Sequence, residues 1–337
     1  MRKEAMLYEK LDNQSVHCYL CAHQCRIGEG GSGFCGVRKN EAGTLYSLVY
    51  RKAVAANADP VEKKPLYHFL PGTRTFSIAT AGCNFRCGFC QNWEISQLRT
   101  ADVPDYSSLD LAPEAVVSSA LRKGCPSISY TYTEPTVYFE YAYECAKLAR
   151  EKGLYNIFVT NGYMSPEALE TAGPYLDAAN VDLKYFNGAS YKKVCAGSLE
   201  PVLQTIRSMR RMGIWVEVTT LIVPGSNDSP GELKGIAGFL ASVDNGIPWH
   251  ISRFFPNYKF TGTRATPEET LRLAVEIGKN AGLKYVYAGN VQDWGSDTIC
   301  HNCAKLLIRR RGFDVLENNI KQGKCAFCAA AIPGKFS

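Results

Sequence analysis

Between about residues 74 and 290 the chain alternates short apolar, β-branched runs with longer stretches whose apolar positions recur at helical spacing. The runs read as strands: RTFSIATAG (74–82), SISYTYT (127–133), YNIFVTN (155–161), ANVDLKY (179–185), WVEVTTLIV (215–223), WHISRFF (249–255) and YVYAGN (285–290). Helices are predicted near 113–123, 136–151, 166–173, 199–212, 230–243 and 267–280. Several carry start signals: Pro113 and Pro166 at first-turn positions, Ser165 as a cap, and the run Thr266-Pro267-Glu268-Glu269.

Strands alternating with helices predict βαβ units and a parallel sheet. Six or seven such units in about 215 residues fall short of the roughly 250 residues of a closed eight-unit barrel. The expected fold class is therefore α/β, an open, partial (β/α)6-type barrel, with its chemistry at the C-terminal ends of the strands. Glu134, Asn161, Lys184 and Pro256 lie at such ends. Three parts are expected: an N-terminal Cys-rich module (1–72), the partial barrel (73–295) and a C-terminal CxxC…CxxC module (296–337). The outer two are too short to build cores of their own and read as metal-stapled appendages.

Composition is that of a soluble globular protein, 46% hydrophobic and 21% charged. The opening MRKEAMLYEKLDNQS has no apolar run to serve as a signal peptide, and no later stretch is long and apolar enough to span a bilayer. A cytoplasmic location is expected. Fourteen cysteines in a reducing compartment then read as metal ligands rather than disulfides. Eleven fall in three sets: Cys18, Cys21, Cys25 and Cys35; Cys83, Cys87 and Cys90; Cys300, Cys303, Cys325 and Cys328. Cys125, Cys145 and Cys195 are scattered and read as buried structural thiols. Metal-bound thiolates would also lower the formal charge of +6 to roughly +1, so the basic balance says little about an acidic partner.

The middle set lies in GCNFRCGFCQNW (82–93), directly after the first strand. Iron–sulfur cubanes usually take four thiolates. With C-x3-C-x2-C, three irons are held by protein and one is left for an outside ligand, the logic that separates open catalytic metal sites from closed ones. Gly82 and Gly88 ease the tight wrap, and Phe89 would shield a cluster. The competing reading is a zinc knuckle that borrows a fourth ligand from elsewhere.

CNFRCGFCQN resembles the radical S-adenosylmethionine (SAM) signature in the form found in glycyl-radical-enzyme activases such as pyruvate formate-lyase activating enzyme. With CYLCAHQCRIGEGGSGFCGVR, DPVEKKPLYHFLPGT, YTYTEPT, NVDLKYF, PWHISRFFP and KYVYAGNV, the chain resembles, over nearly its whole length, the radical SAM member of the AmmeMemoRadiSam system. The resemblance implies a 4Fe–4S cluster on Cys83, Cys87 and Cys90, SAM chelated at the free iron, and reductive cleavage to a 5′-deoxyadenosyl radical. That radical would abstract hydrogen from an unidentified, small organic substrate. An electron donor of the flavodoxin or ferredoxin type is implied, as are Memo-like and AMMECR-domain companions.

The resemblance also implies cofactor contacts. Glu134 occupies the place of a Gly-Gly-Glu carboxylate that binds the methionine amine, although Thr131-Tyr132-Thr133 replaces the small residues before it. Its alternative role is a helix-start carboxylate. Lys184 would reach the SAM carboxylate, with Asp182 on the same strand face, unless the two merely pair. His250 would lie near ribose or adenine, or be a satisfied core histidine. Asn161 and Asn92 match polar positions of the family; Asn161 also suits a turn before Gly162. Arg253, Tyr130 and Tyr132 are candidates to face substrate, and residues 61–69 (VEKKPLYHF) read as a packed junction.

CHNC and CAFC, joined by KLLIRRRGFDVLENNI with a hairpin turn at Arg311-Gly312, form a zinc-ribbon pattern. An auxiliary cluster is the alternative there. For the N-terminal C-x2-C-x3-C-x9-C set, structural zinc and an auxiliary iron–sulfur cluster stand equal, ahead of redox-active thiols with no permanent metal. Two further functions stay open: an activase that installs a glycyl radical on a partner enzyme, and a metal-stapled nucleic-acid-binding or RNA-modifying protein using IRRR, which reads more simply as a solvated hairpin edge.

Overall fold

In the computed structural model, which describes residues 2–98 and 107–337, the seven expected strands form one parallel sheet in sequence order. We number its strands β1 (Ala55–Pro60), β2 (Arg74–Ala79), β3 (Ser127–Tyr130), β4 (Tyr155–Thr160), β5 (Ala178–Asp182), β6 (Trp215–Ile222), β7 (Trp249–Arg253) and β8 (Val286–Gly289). Every neighbour from β2 to β8 is parallel, whereas β1 joins β2 antiparallel. β1 and β8 are the two edges of the sheet. The six main helices are α1 (Pro113–Arg122), α2 (Phe139–Glu151), α3 (Pro166–Ala172), α4 (Leu199–Arg211), α5 (Pro230–Val243) and α6 (Glu268–Asn280). Ser165 caps α3 by accepting from the Ala168 amide, as its position before Pro166 predicts.

One face of the sheet is apolar. Phe76, Ile78, Ile128, Phe158, Val181, Val216, Val218 and Ile251 belong to the main core. The opposite face carries Thr75, Ser77, Ser129, Asn180, Asp182, Glu217, Thr219 and His250. Buried polar groups need partners, and residues 61–70 supply many of them. The Pro65 carbonyl accepts from Asn180 Nδ2 at 2.8 Å, and the Glu217 carboxylate accepts from the Tyr67 and His68 amides at 3.0 and 2.8 Å. Leu66 and Phe69 pack with Ile157 and Ala178 beside these bonds. The segment is thus a lining for the polar face, and its Lys64 reaches Tyr132 beyond the end of β3 at 3.3 Å.

The N-terminal part forms two small antiparallel sheets. It is fastened to α2 by Arg38, whose Nη2 donates to both oxygens of Glu140 at 2.6 and 2.7 Å. At the other end, strands Thr298–Ile299, Leu306–Arg311 and Asp314–Asn318 form the expected hairpin layer, turning at Gly312 with φ +61°. Buried Arg310 ties this layer to the lining segment through the Tyr67 carbonyl at 2.8 Å. Among the described residues no helix is long and apolar enough to cross a membrane.

Candidate active site

The sheet's polar face and the loop after β2 meet at the C-terminal ends of the strands. Neighbouring segments press on the loop from Gly82 to Cys90 at both of its glycines. Gly82 has φ +98°, and a Cβ there would lie 2.5 Å from Val37 Cγ1. A Cβ on Gly88 would lie 2.6 Å from Phe260 Cε2. Arg86 braces the turn from outside, donating to the Cys83 and Phe85 carbonyls at 2.7 and 3.0 Å. Asn161, at the end of β4, holds the loop from beneath: its Nδ2 donates to Asn84 Oδ1 at 2.7 Å and lies 3.8 Å from Cys83 Sγ.

Burial pushes the Cys83 and Cys90 thiols up. Cys87 is pushed up first by a hydrogen bond with the thiol of Cys195 and then by burial. Without a metal, three thiolates in this setting are unfavourable; iron binding would reverse that by taking the deprotonated form. Cys195 was not marked by any spacing in the sequence. It reaches the loop because a short π-helical turn, Tyr191–Cys195, ends there and its carbonyl accepts from the Arg86 amide at 2.8 Å.

Lys184 and Asp182 pair at 2.8 Å, with the ammonium 6.0 Å from the centre of the Phe89 ring. Burial alone would lower the Lys184 pKa, but Asp182 and the nearby Cys87 and Cys195 hold it well above the ordinary range. Phe89 is itself buried against Tyr185 and Phe260. Asn92 donates to the Tyr132 carbonyl at 2.8 Å, which joins the end of the cysteine loop to the turn after β3.

Glu134 is buried and well supplied with donors. Oε1 accepts from the Thr136 amide and hydroxyl at 3.1 and 2.6 Å and from Thr160 Oγ1 at 2.8 Å; Oε2 accepts from the Asn161 amide at 2.7 Å. It caps the short 3-10 turn Pro135–Tyr138, and burial pushes its carboxyl up against these donors. His250 sits apart. Its Nε2 meets Glu217 at 2.6 Å, and its ring packs against Tyr67 and Tyr287 in the network beneath the lining segment. The structure therefore gathers Cys83, Cys87, Cys90, Asn92, Glu134, Asn161, Asp182 and Lys184 around one loop, and places His250 in a separate buried cluster.

Among the residues considered for substrate, Tyr132 sits by the site: at φ +64° it directs its hydroxyl to Asp59, which also takes Lys64 Nζ at 2.8 Å. Tyr130 alternates to the apolar face and donates to Asn156 Oδ1 at 3.1 Å. Arg253 is engaged by the Thr266 carbonyl at 2.8 Å and by Glu268. The Asp59–Lys64–Tyr132 group escaped the sequence reading because β1 and the lining segment carry no apolar periodicity.

The C-terminal cysteines form a different kind of site. The sulfurs of Cys300, Cys303, Cys325 and Cys328 all lie within 4.8 Å of one another, with 3.7 Å between Cys300 and Cys328 and 3.8 Å between Cys303 and Cys325.

Residues 77–240 match the Radical SAM superfamily model. The chain is 46% identical to an uncharacterised protein of Methanocaldococcus jannaschii, over 98% of both chains. It is 21% identical to the pyruvate formate-lyase-activating enzyme of Clostridium pasteurianum, over 53% of this chain and 76% of that one. Among solved structures, a radical SAM methyltransferase from Sphaerobacter thermophilus superposes with a TM-score of 0.51 at 15% identity, covering 65% of this chain and 67% of that one.

Proposed function

Because the chain belongs to the Radical SAM superfamily and is an enzyme, we propose that Cys83, Cys87 and Cys90 hold a 4Fe–4S cluster whose fourth iron takes SAM. When bound, cluster and cofactor supply one electron and a 5′-deoxyadenosyl radical that takes hydrogen from a modest organic substrate. The open sheet is then the partial barrel of that family.

The loop suits such a group. Among the described residues, two buried polar atoms beside it, Asn84 Nδ2 and Tyr191 Oη, have no hydrogen-bond partner. A sulfide-rich anion would offer both an acceptor. The observation that carries the reading is the three-thiol loop at the end of β2, with the Lys184 ammonium at its side. In this reading Lys184 binds the SAM carboxylate and Asp182, its partner at 2.8 Å, orients it. Asn161 and Asn92 hold the two ends of the loop. Glu134 acts chiefly by fixing the ends of β3 and β4, with Oε2 the freer oxygen for an amine. Phe89 and Phe260 exclude water from the cluster side.

The quoted motifs further support membership of the AmmeMemoRadiSam group, with Memo-like and AMMECR-domain companions and a flavodoxin- or ferredoxin-type donor. The similarity to an activating enzyme supports a second reading, in which the hydrogen comes from a glycine of a partner enzyme. Transfer of deuterium from a labelled small molecule into 5′-deoxyadenosine favours the first reading; a glycyl-radical doublet on a partner favours the second. The basic test is SAM cleavage by the reduced, anaerobically reconstituted chain. Cys87→Ala should abolish it, and undiminished cleavage by that variant refutes the cluster assignment.

A further inference from the structure

The two four-cysteine sets differ in geometry. Four thiolates around one zinc, with Zn–S bonds of about 2.3 Å, lie at the corners of a tetrahedron with an edge of about 3.8 Å. The C-terminal pairs, at 3.7 and 3.8 Å, match that edge without any ion present. In the N-terminal set, by contrast, no three of the four sulfurs lie within 4.8 Å of one another. They are arranged around a space instead.

That space has defined walls. Cys18 and Cys25 face each other as partners in adjacent strands, Cys21 comes from the loop between those strands, and Cys35 from the next turn. All four line one small cavity together with Arg38 and Thr136. Arg38 is buried, and its Nη2 is used by Glu140 and its Nη1 by the Met6 carbonyl at 3.3 Å. Its Nε has no partner among the described residues. A buried guanidinium N–H in the wall of a thiol-lined cavity calls for an anionic acceptor, and a cluster's sulfur is one.

We infer that Cys18, Cys21, Cys25 and Cys35 hold a second, four-thiolate iron–sulfur cluster, with Arg38 as its buried counter-charge, whereas Cys300, Cys303, Cys325 and Cys328 hold one zinc. The four thiols share one small cavity with an unpartnered guanidinium N–H, and a core that carries its own sulfide would give that N–H an acceptor. The second cluster would adjoin the first loop directly. The Cys35 carbonyl lies 3.2 Å from where a Cβ on Gly82 would sit, His23 Nε2 meets the Asn84 carbonyl at 2.7 Å, and Arg86 donates to the Phe34 carbonyl. This assignment stands on the N-terminal residues and does not depend on SAM chemistry at Cys83.

The test is metal analysis of the full chain with Cys83, Cys87 and Cys90 all replaced by alanine, prepared anaerobically. The expected result is roughly four irons and four sulfides per chain, one zinc, and a paramagnetic signal on reduction, against roughly eight irons in the unaltered chain. Adding Cys25→Ser should remove the residual iron and leave the zinc, while Cys300→Ser should remove zinc and leave iron. A triple variant with no iron, or with two zincs, overturns the assignment, and so does iron that survives Cys25→Ser. The triple variant decides the matter even if Cys25→Ser does not fold. Loss of iron between the unaltered chain and the triple variant reports the first site separately, so failure of either reading is distinguishable.

Discussion

The Cys195 carbonyl accepts from the Arg86 amide at 2.8 Å, which fixes a fourth cysteine beside the three-cysteine loop. A fourth cysteine so near a three-cysteine loop invites its assignment as the missing ligand; the alternative is a weak S–H donor beside Cys87, whose thiol it helps to push up. The second role is the one expected here, and hydrogen bonds to a ligand sulfur help set a cluster's potential. Cys195→Ala should keep its iron at this loop. Loss of one hydrogen bond to the reduced, more negative cluster should lower the potential by roughly 20–60 mV. Potentiometric titration followed by paramagnetic resonance reads the shift. Loss of one iron from the cluster in this variant would make Cys195 a ligand after all.

Lys184 offers a charge to the cofactor from a position already paired with Asp182 at 2.8 Å. Lys184→Met removes the cation but keeps an unbranched, apolar stem. SAM affinity should fall roughly 10- to 100-fold, the worth of one charge-assisted hydrogen bond. Iron content should not change. Equilibrium binding of SAM to the reconstituted chain measures it, and unchanged affinity would return Lys184 to a purely structural pair with Asp182.

A pH effect follows from His68. Its Nδ1 lies 2.7 Å from the Pro333 carbonyl and its Nε2 2.6 Å from the Tyr287 hydroxyl, which fits a neutral ring donating from Nδ1. Burial lowers its pKa from 6.5 to about 4. The unfolded chain therefore binds more protons between these values, and stability must fall as pH drops from 6.5 towards 4. The loss attributable to this ring is about 3 kcal/mol when complete. Urea midpoints of the natural chain should fall more steeply over that window than those of His68→Phe, whose comparison removes acid effects on the metal sites. Parallel profiles would contradict the assignment.

The regular elements were legible because each strand of the parallel sheet is bounded by turn residues and each helix shows its own apolar stripe. WVEVTTLIV and PGELKGIAGFLASV are examples, forming β6 and α5. The strands end earlier than the apolar runs do. After Ala79 and Tyr130 the backbone leaves the sheet to carry Cys83 and Tyr132 into the site, and apolar composition does not mark that departure. β1 was illegible because AANADP pairs at an edge with little apolar burial. Asp182 and Lys184 were readable as a pair, since strand alternation alone puts them on one face. The partnership of His250 with Glu217 was not, because it depends on the register between β6 and β7, and Cys195 was hidden by the same dependence on tertiary packing.

The most direct test of the central claim uses SAM labelled with nitrogen-15 in its amino group. Electron–nuclear double resonance is then recorded on the reduced cluster at Cys83, Cys87 and Cys90. Direct coordination of the amine to one iron predicts a clear nitrogen-15 coupling that vanishes with unlabelled SAM and survives Cys195→Ala. SAM that binds without such a coupling would mean that the fourth iron is already capped by the protein.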